Sequence, residues 1–371
     1  MMSSENDSSV FFFDFLSFFS FLVVVCHRGM SAATSTSAMN CDCLSCSGNP
    51  GQQQTREFRN PQASFWRHRF RLPGTQWTLT GHSRALERTG FLLVEPKIFL
   101  DAGVGPRDPD GNCNAILITH THIDHINALP LLARIKSSDG GPAIVVPRGH
   151  VNNVREFTRL SWGIKGVDGT ERAGERVDTE MKPIPPPGQI VSCDDVGNRE
   201  THRTSSRGGR IWVPASPGLR IQLPGSQKVV CDCLRCFHTV TDAGFVLSET
   251  KQVTLGVDDA AQAEYEALLE RCKVDKKAGR EIGAMNKAGK LRRKTMLRPK
   301  VAFLCDTTPQ VFGSQCTACK AGDPSQCEFS SHHGAVCEPD AEARATQREL
   351  LFACQSIIVE CSFIGAAGMS D

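Results

Sequence analysis

Four short apolar runs in this chain each lead into an acid or a histidine. "KIFL" leads to Asp101, "AILIT" to His120, "VAFLC" to Asp306 and "SIIV" to Glu360. Runs of this length, rich in β-branched and aromatic residues, suit buried strands and are too short for helices. Segments with helical spacing, such as "HINALPLLARI" and "QAEYEALLERC", lie between them. Strands interleaved with helices predict an α/β fold. In open α/β sheets functional groups gather beyond the carboxyl ends of strands. The four residues are therefore expected to converge on one edge of a sheet.

The richest of these strand ends is "LITHTHIDHINALP", residues 117–130, with His120, His122, Asp124 and His125 inside six positions. Zinc takes imidazole nitrogen and carboxylate oxygen at about 2.0–2.2 Å. Two histidines one residue apart can project to the same side of a loop, and the Asp-His pair that follows can turn towards a second ion. Without a cation, each buried donor would carry a desolvation cost of order 1–3 kcal/mol. A solvated, histidine-rich loop is the weaker reading, because the motif sits between a strand and a helix.

The rest of the chain sets limits. Its 371 residues allow one large domain with substantial insertions. A formal charge of +2 excludes a uniformly basic nucleic-acid binder, so any such surface is local. Seventeen cysteines exceed what an ordinary domain carries, yet a disulfide scaffold would be far shorter, so most are read as reduced thiols of an intracellular protein. Residues 10–25 are apolar but interrupted by Asp14, and fall short of the ~20 residues of a spanning helix. Glu5 and Asp7 stand where a signal peptide carries positive charge. A targeting presequence, a signal anchor and an untranslated stretch with Met30 as the start remain open. Residues 1–60 are accordingly set apart as a leader or disordered segment, and 74–371 are expected to form the folded domain. No stable membrane association is expected.

Two insertions are expected, at about 162–229 and 313–350. "KPIPPPGQ" and "THRTSSRGGR" mark the first as loop-rich. The second contains Cys316, Cys319, Cys327 and Cys337, of which the first pair has zinc-knuckle spacing. A structural zinc there competes with a flexible loop of free thiols. "CDCLSC" (41–46) and "CDCLRC" (231–236) resemble each other, with coincidence the better explanation. Residues 271–300 carry twelve Lys or Arg against two acids. That run suits contact with an RNA backbone and equally a solvated helix face.

"THTHIDH" resembles the H-x-H-x-D-H signature of metallo-β-lactamase-fold hydrolases. The resemblance covers roughly residues 74–371 and implies a four-layer αββα sandwich with a dinuclear metal edge. Further segments are similar to short-form, plant-type tRNase Z: "FHTVTDAGFVLSE" to its H-x-V-x-x-x-G-[YF] stretch, "KVAFLCDTTPQVF" to "VAFTGDTT", and "SIIVECSFI" to "ECTFL". "AGREIGAMNKAG" (278–289) and "GHSRALERTGFLLV" add two matches in the family's order. The resemblance implies two zinc ions, the first held by His120, His122 and His238, the second by Asp124 and His125, with Asp306 bridging both. It makes Asp124 and Glu360 the candidate catalytic carboxylates. Asp124 would manage protons, while Glu360, like Asp101, would orient imidazoles or simply cap a strand end.

The implied activity is an endoribonuclease that removes 3′ trailers from precursor tRNA. Homodimerisation is implied by the resemblance alone, and nucleus, cytoplasm and organelle all fit. One part of the pattern is missing. The family's later G-H-x-H-type helix start and "HFSxRY" strand have no counterpart among the ten residues after Cys361, and His333 is the last histidine. The expectation is a fold without its last strand and helix, and fewer than two metals per chain. Two other functions compete: a hydrolase of small esters or phosphodiesters with the same fold, and a non-catalytic metal- or RNA-binding protein.

Overall fold

The computed structural model describes residues 8–13, 21–27, 66, 69–84, 88–105, 113–135, 141–164, 182–186, 188–200, 209–225, 229–236, 242–275, 277–307, 311 and 341–361. These form two compact units, one from Met1–Leu247 with Pro299–Asp371, the other Ser248–Arg298. The strands, in chain order, are β1 (Ser8–Phe13), β2 (Phe21–His27), β3 (Phe70–Arg71), β4 (Thr78–Arg84), β5 (Arg88–Leu93), β6 (Ile98–Leu100), β7 (Ala115–Leu117), β8 (Ala143–Pro147), β9 (Ile190–Ser192), β10 (Asn198–Glu200), β11 (Arg210–Ala215), β12 (Arg220–Gln222), β13 (Val229–Arg235), β14 (Ala243–Gly256), β15 (Leu291–Asp306) and β16 (Ser356–Cys361). The helices are α1 (Ile123–Ile126), α2 (Leu129–Leu132), α3 (Val151–Ile164), α4 (Cys193–Val196), α5 (Asp259–Cys272), α6 (Ala278–Lys287) and α7 (Ala341–Phe352). Among the described residues no helix is long and apolar enough to cross a membrane.

The fold is α/β with two mixed sheets. One runs β3-β4-β5-β6-β7-β8-β11-β10, the other β1-β2-β16-β15-β14-β13-β12-β9. The period of two along each strand sorts its side chains between two cores. In β7 and β8, Ala115, Leu117, Ala143 and Val145 face a core shared with Phe245, Phe303 and Ile358 of the second sheet. Their neighbours Ile116, Ile144 and Val146 pack instead with Leu129, Leu132, Val154 and Trp162 of the helices. Across the second sheet, Val246, Ala302, Leu304 and Ile357 pack with Leu351 of α7. Each sheet thus has one face on the shared core and one under helices.

The predicted strands "KIFL", "AILIT", "VAFLC" and "SIIV" are present as β6, β7, the end of β15 and β16, with β7 ending at Leu117. The predicted helix over "HINALPLLARI" is divided into α1 and α2, with Pro130 in the first turn of α2. Proline lacks the N–H that would continue α1 but is pre-set for a first turn. The loop-rich stretch 162–229 holds β9 to β12. β11 is buried along its whole length and lies parallel to β8, so it lacks the alternation that reveals a half-exposed strand. β1 and β2, inside the segment set apart as a leader, extend the second sheet, with β2 antiparallel to β16 from Ile357↔Val25 to Cys361↔Phe21.

The Ser248–Arg298 unit has its own small core. Ala261 and Leu268 of α5 meet Ala278 and Met285 of α6 and Leu291 at the start of β15. Asp258 caps α5 by accepting from the Ala261 amide at 2.7 Å. Gln252 Nε2 donates to Thr295 Oγ1 at 2.6 Å, tying the outer half of β14 to that of β15.

Candidate metal centre

The centre is assembled where β6, β7 and β15 end. Asp101 follows β6 and is fully buried with a positive φ of 56°. Its amide bonds to the Leu117 carbonyl at 2.8 Å, which holds the two strand ends side by side. The next turn presses against α1: the Ala102 amide bonds to the His125 carbonyl at 2.7 Å, and a Cβ added at Gly103 would stand 1.4 Å from the Asp124 carbonyl oxygen. Only glycine allows that approach.

Asp101 governs two imidazoles. Its Oδ1 accepts from the Thr119 amide at 2.7 Å, and its Oδ2 lies 2.8 Å from Thr119 Oγ1 and 3.0 Å from His125 Nδ1. An ionised carboxylate can only accept, so His125 Nδ1 carries the hydrogen and Thr119 donates its hydroxyl hydrogen to Asp101. Thr119 Oγ1 then accepts from His120 Nδ1, 3.1 Å away. Both rings are left with a lone pair on Nε2, the tautomer that binds a metal.

Those lone pairs meet carboxylates and a third imidazole. His125 Nε2 is 3.5 Å from Asp124 Oδ2 and 3.6 Å from Asp306 Oδ2. His120 Nε2 is 4.0 Å from Asp306 Oδ2 and 3.1 Å from His122 Nδ1. The His120 ring centre is 3.9 Å from that of His125 and 4.7 Å from that of His122. His120 and His125 are fully buried and Asp306 only partly so, which gives the cluster one side open to solvent. In its protonated form His125 also donates from Nε2 to Asp124, and that hydrogen bond lowers the Asp124 carboxyl below its usual range. Nitrogen and carboxylate-oxygen donors of this kind are those zinc takes. His120, His125 and Asp306 form a group compact enough to grip one ion.

The described chain brings together His120, His122, Asp124, His125 and Asp306, with Asp101 behind them. His238 lies outside the described residues, as do Cys316, Cys319, Cys327 and Cys337. The Glu360 backbone pairs with Asp306 at the end of β16. Two residues at this edge escaped the sequence pattern. Cys305 Sγ sits 3.7 Å from His125 Nδ1. Asp242 precedes Ala243, whose amide bonds to the Thr119 carbonyl at 2.8 Å. Burial pushes the Asp242 carboxyl up to about 8, with Arg235 opposing and the charge of Asp306 reinforcing the rise. Its acidic side chain inside "TDAGF" was the available signal.

No family model and no curated protein sequence matches the chain. The eight cysteines whose side chains are described are free thiols, seven of them buried. Burial pushes the thiols of Cys113, Cys193 and Cys354 up to about 12, which makes them poor nucleophiles and poor ligands.

Proposed function

We propose that this chain is a metal-dependent phosphodiesterase on a metallo-β-lactamase-type sandwich, resembling short-form tRNase Z and acting on the 3′ side of precursor tRNA. One observation carries the proposal: three imidazoles and Asp124 from the segment that follows β7 meet Asp306 at the end of β15, with nitrogen and carboxylate-oxygen atoms 3.1–4.0 Å apart. Such an arrangement is costly without a cation. His120 and His122 would hold one zinc ion, with His238 joining them by the resemblance, His125 with Asp124 would hold a second, and Asp306 would serve both. Bound there, zinc would activate water and offset the charge of a cleaving phosphodiester.

The protein's own groups have definite tasks. Asp101 keeps His120 and His125 in the ligating tautomer. Asp124, ionised and at the partly open side, is placed to accept a proton. The Ser248–Arg298 unit supplies the basic surface: Arg292, Arg293, Lys294 and Arg298 are exposed along the outer half of β15. Lys and Arg on phosphates release counterions and give sequence-independent affinity for RNA.

Incubation with a trailer-bearing precursor tRNA and zinc tests this. Cleavage just after the discriminator base, abolished by His122→Ala, is expected. Hydrolysis of a small chromogenic phosphodiester without that cut would assign a different substrate to the same centre. Binding at low salt with neither product would leave a non-catalytic RNA-binding protein.

A further inference from the structure

We infer that Cys305 is a positioning residue of the metal centre, closing with Asp101 a clamp on the Nδ1 edge of the His125 ring. The inference rests on reading His125 as a ligand. Only three non-glycine residues among those described adopt a positive φ: Lys97, Asp101 and Cys305, at 67°, 56° and 50°. Lys97 serves the turn between β5 and β6. The other two terminate buried strand segments and bring their side chains to the same atom. Asp101 Oδ2 is 3.0 Å from His125 Nδ1, and Cys305 Sγ is 3.7 Å from it. Left-handed backbone is unfavourable for a residue with a Cβ, and glycine would adopt it freely. Such strain persists where the surroundings enforce it, and it clusters at functional sites.

The local backbone is irregular in the same place. β15 pairs with β16 through Phe303↔Ile358 and then Cys305↔Val359, so one residue is extra on β15. A bulge of this kind re-aims the side chains that follow it. Cys305 keeps the alternation of Val301 and Phe303 into the core shared by the sheets, and its positive φ is where the next side chain, Asp306, turns to meet His125 Nε2. The two consecutive side chains address opposite nitrogens of one ring. Asp101, His125 and Cys305 are all fully buried, and their polar atoms lie close enough together to hold an ion. An ion is the poorer occupant. Asp101 already accepts from the Thr119 amide, the Thr119 hydroxyl and His125. The thiol therefore acts by contact. Asp101 sets which nitrogen bears the hydrogen, and Cys305 bars the ring from tilting away from the Nε2 side.

The test uses the metal-free full chain and then the same chain with zinc. In the wild type the His125 Nδ1–H is expected to exchange slowly with solvent, seen as a persistent ring N–H resonance. Cys305→Ala should speed that exchange at least tenfold at a temperature well below melting, and should weaken zinc binding about tenfold in chelator competition. Cys305→Ser, which keeps a polar atom of similar size, should restore both. Cys305→Gly should melt above Cys305→Ala despite its smaller side chain, because it alone relieves the positive φ. Unchanged ring exchange and zinc affinity in Cys305→Ala would overturn the clamp, whatever happens to its melting point. A wild type that binds no zinc yet shows the protected N–H, lost in Cys305→Ala, would defeat the metal-centre reading and leave the clamp standing.

Discussion

β15 is one continuous strand with two unlike halves. From Val301 to Cys305 it is buried on both faces, and from Arg292 to Thr295 it is exposed on both. Neither half shows the alternation of a half-buried strand, for opposite reasons. The inner half lies between the shared core and the core under α7, so every residue must be apolar. The outer half belongs to the small helical unit and reads "RRKT". β14 repeats the division, buried from Ala243 to Ser248 and open at Lys251 and Gln252. The inner halves end on or near the candidate metal ligands. The outer halves carry charge. On the proposed function, chemistry and polyanion attraction fall on different stretches of the same strands and should be separable by mutation.

The largest effect is expected at the inner end. Asp306→Ala should lower cleavage of both precursor tRNA and a small phosphodiester on the order of 10⁴-fold, the several kcal/mol a metal centre contributes. Kinetics on the two substrates in parallel checks this, since equal loss on both marks the chemical step. Smaller but still severe is Phe303→Ala. Phe303 is fully buried, with its ring edge-on to Phe91 of the other sheet, centroids 6.2 Å apart. Its truncation should cost about 3–5 kcal/mol of folding stability, read by denaturant unfolding. An exposed outer-half change such as Arg293→Ala should stay within about ±0.5 kcal/mol in the same measurement.

Much of the inner half was legible in the sequence, and the reason is local. "VAFLCD" and "AILIT" are apolar runs that end on polar residues, and strand ends are where an α/β sheet gathers its site. That rule put Asp101, His120 and Asp306 at strand ends, but not on one sheet edge as expected: Asp101 and His120 follow strands of one sheet and Asp306 ends a strand of the other. What escaped depended on tertiary geometry. No pattern distinguishes Cys305 from an ordinary core thiol until its positive φ and its approach to His125 are seen. β11 was hidden because its partner β8 and the buried faces on either side remove the polar alternation. β2 was set aside because an apolar run near a start methionine suits a leader as well as a strand between β1 and β16.

Asp242 sharpens the comparison from β14. It stands at the head of the buried half, and burial lifts its carboxyl from 3.8 to about 8. Below about pH 4 folded and unfolded chains are both protonated there, and the group has no effect. Between pH 4 and 8 the folded chain retains a proton that the unfolded chain has released, so stability falls as pH rises, and the loss is complete above 8. Asp242→Asn should therefore match the wild type at pH 4 and exceed it by roughly 1–3 kcal/mol at pH 8.5, both metal-free. Urea titrations across that range measure it. Parallel stability curves would mean that Asp242 reaches solvent or a cation.

The smallest effect on stability should accompany a clear effect on RNA. Replacing Arg292, Arg293 and Lys294 together by alanine removes three exposed charges from the outer half of β15 without touching the small core around Leu268 and Met285. If the three contact phosphates, the slope of log affinity against log salt should fall by about 2, at roughly 0.7 per contact with single-stranded RNA. Turnover of a small chromogenic phosphodiester should not change, because that substrate never spans the ribbon. A precursor tRNA whose KM rises while kcat holds would show binding that is uniform between ground and transition state. An unchanged salt slope would instead mark the outer half as a solvated face, whose charges keep the ribbon soluble and recognise nothing.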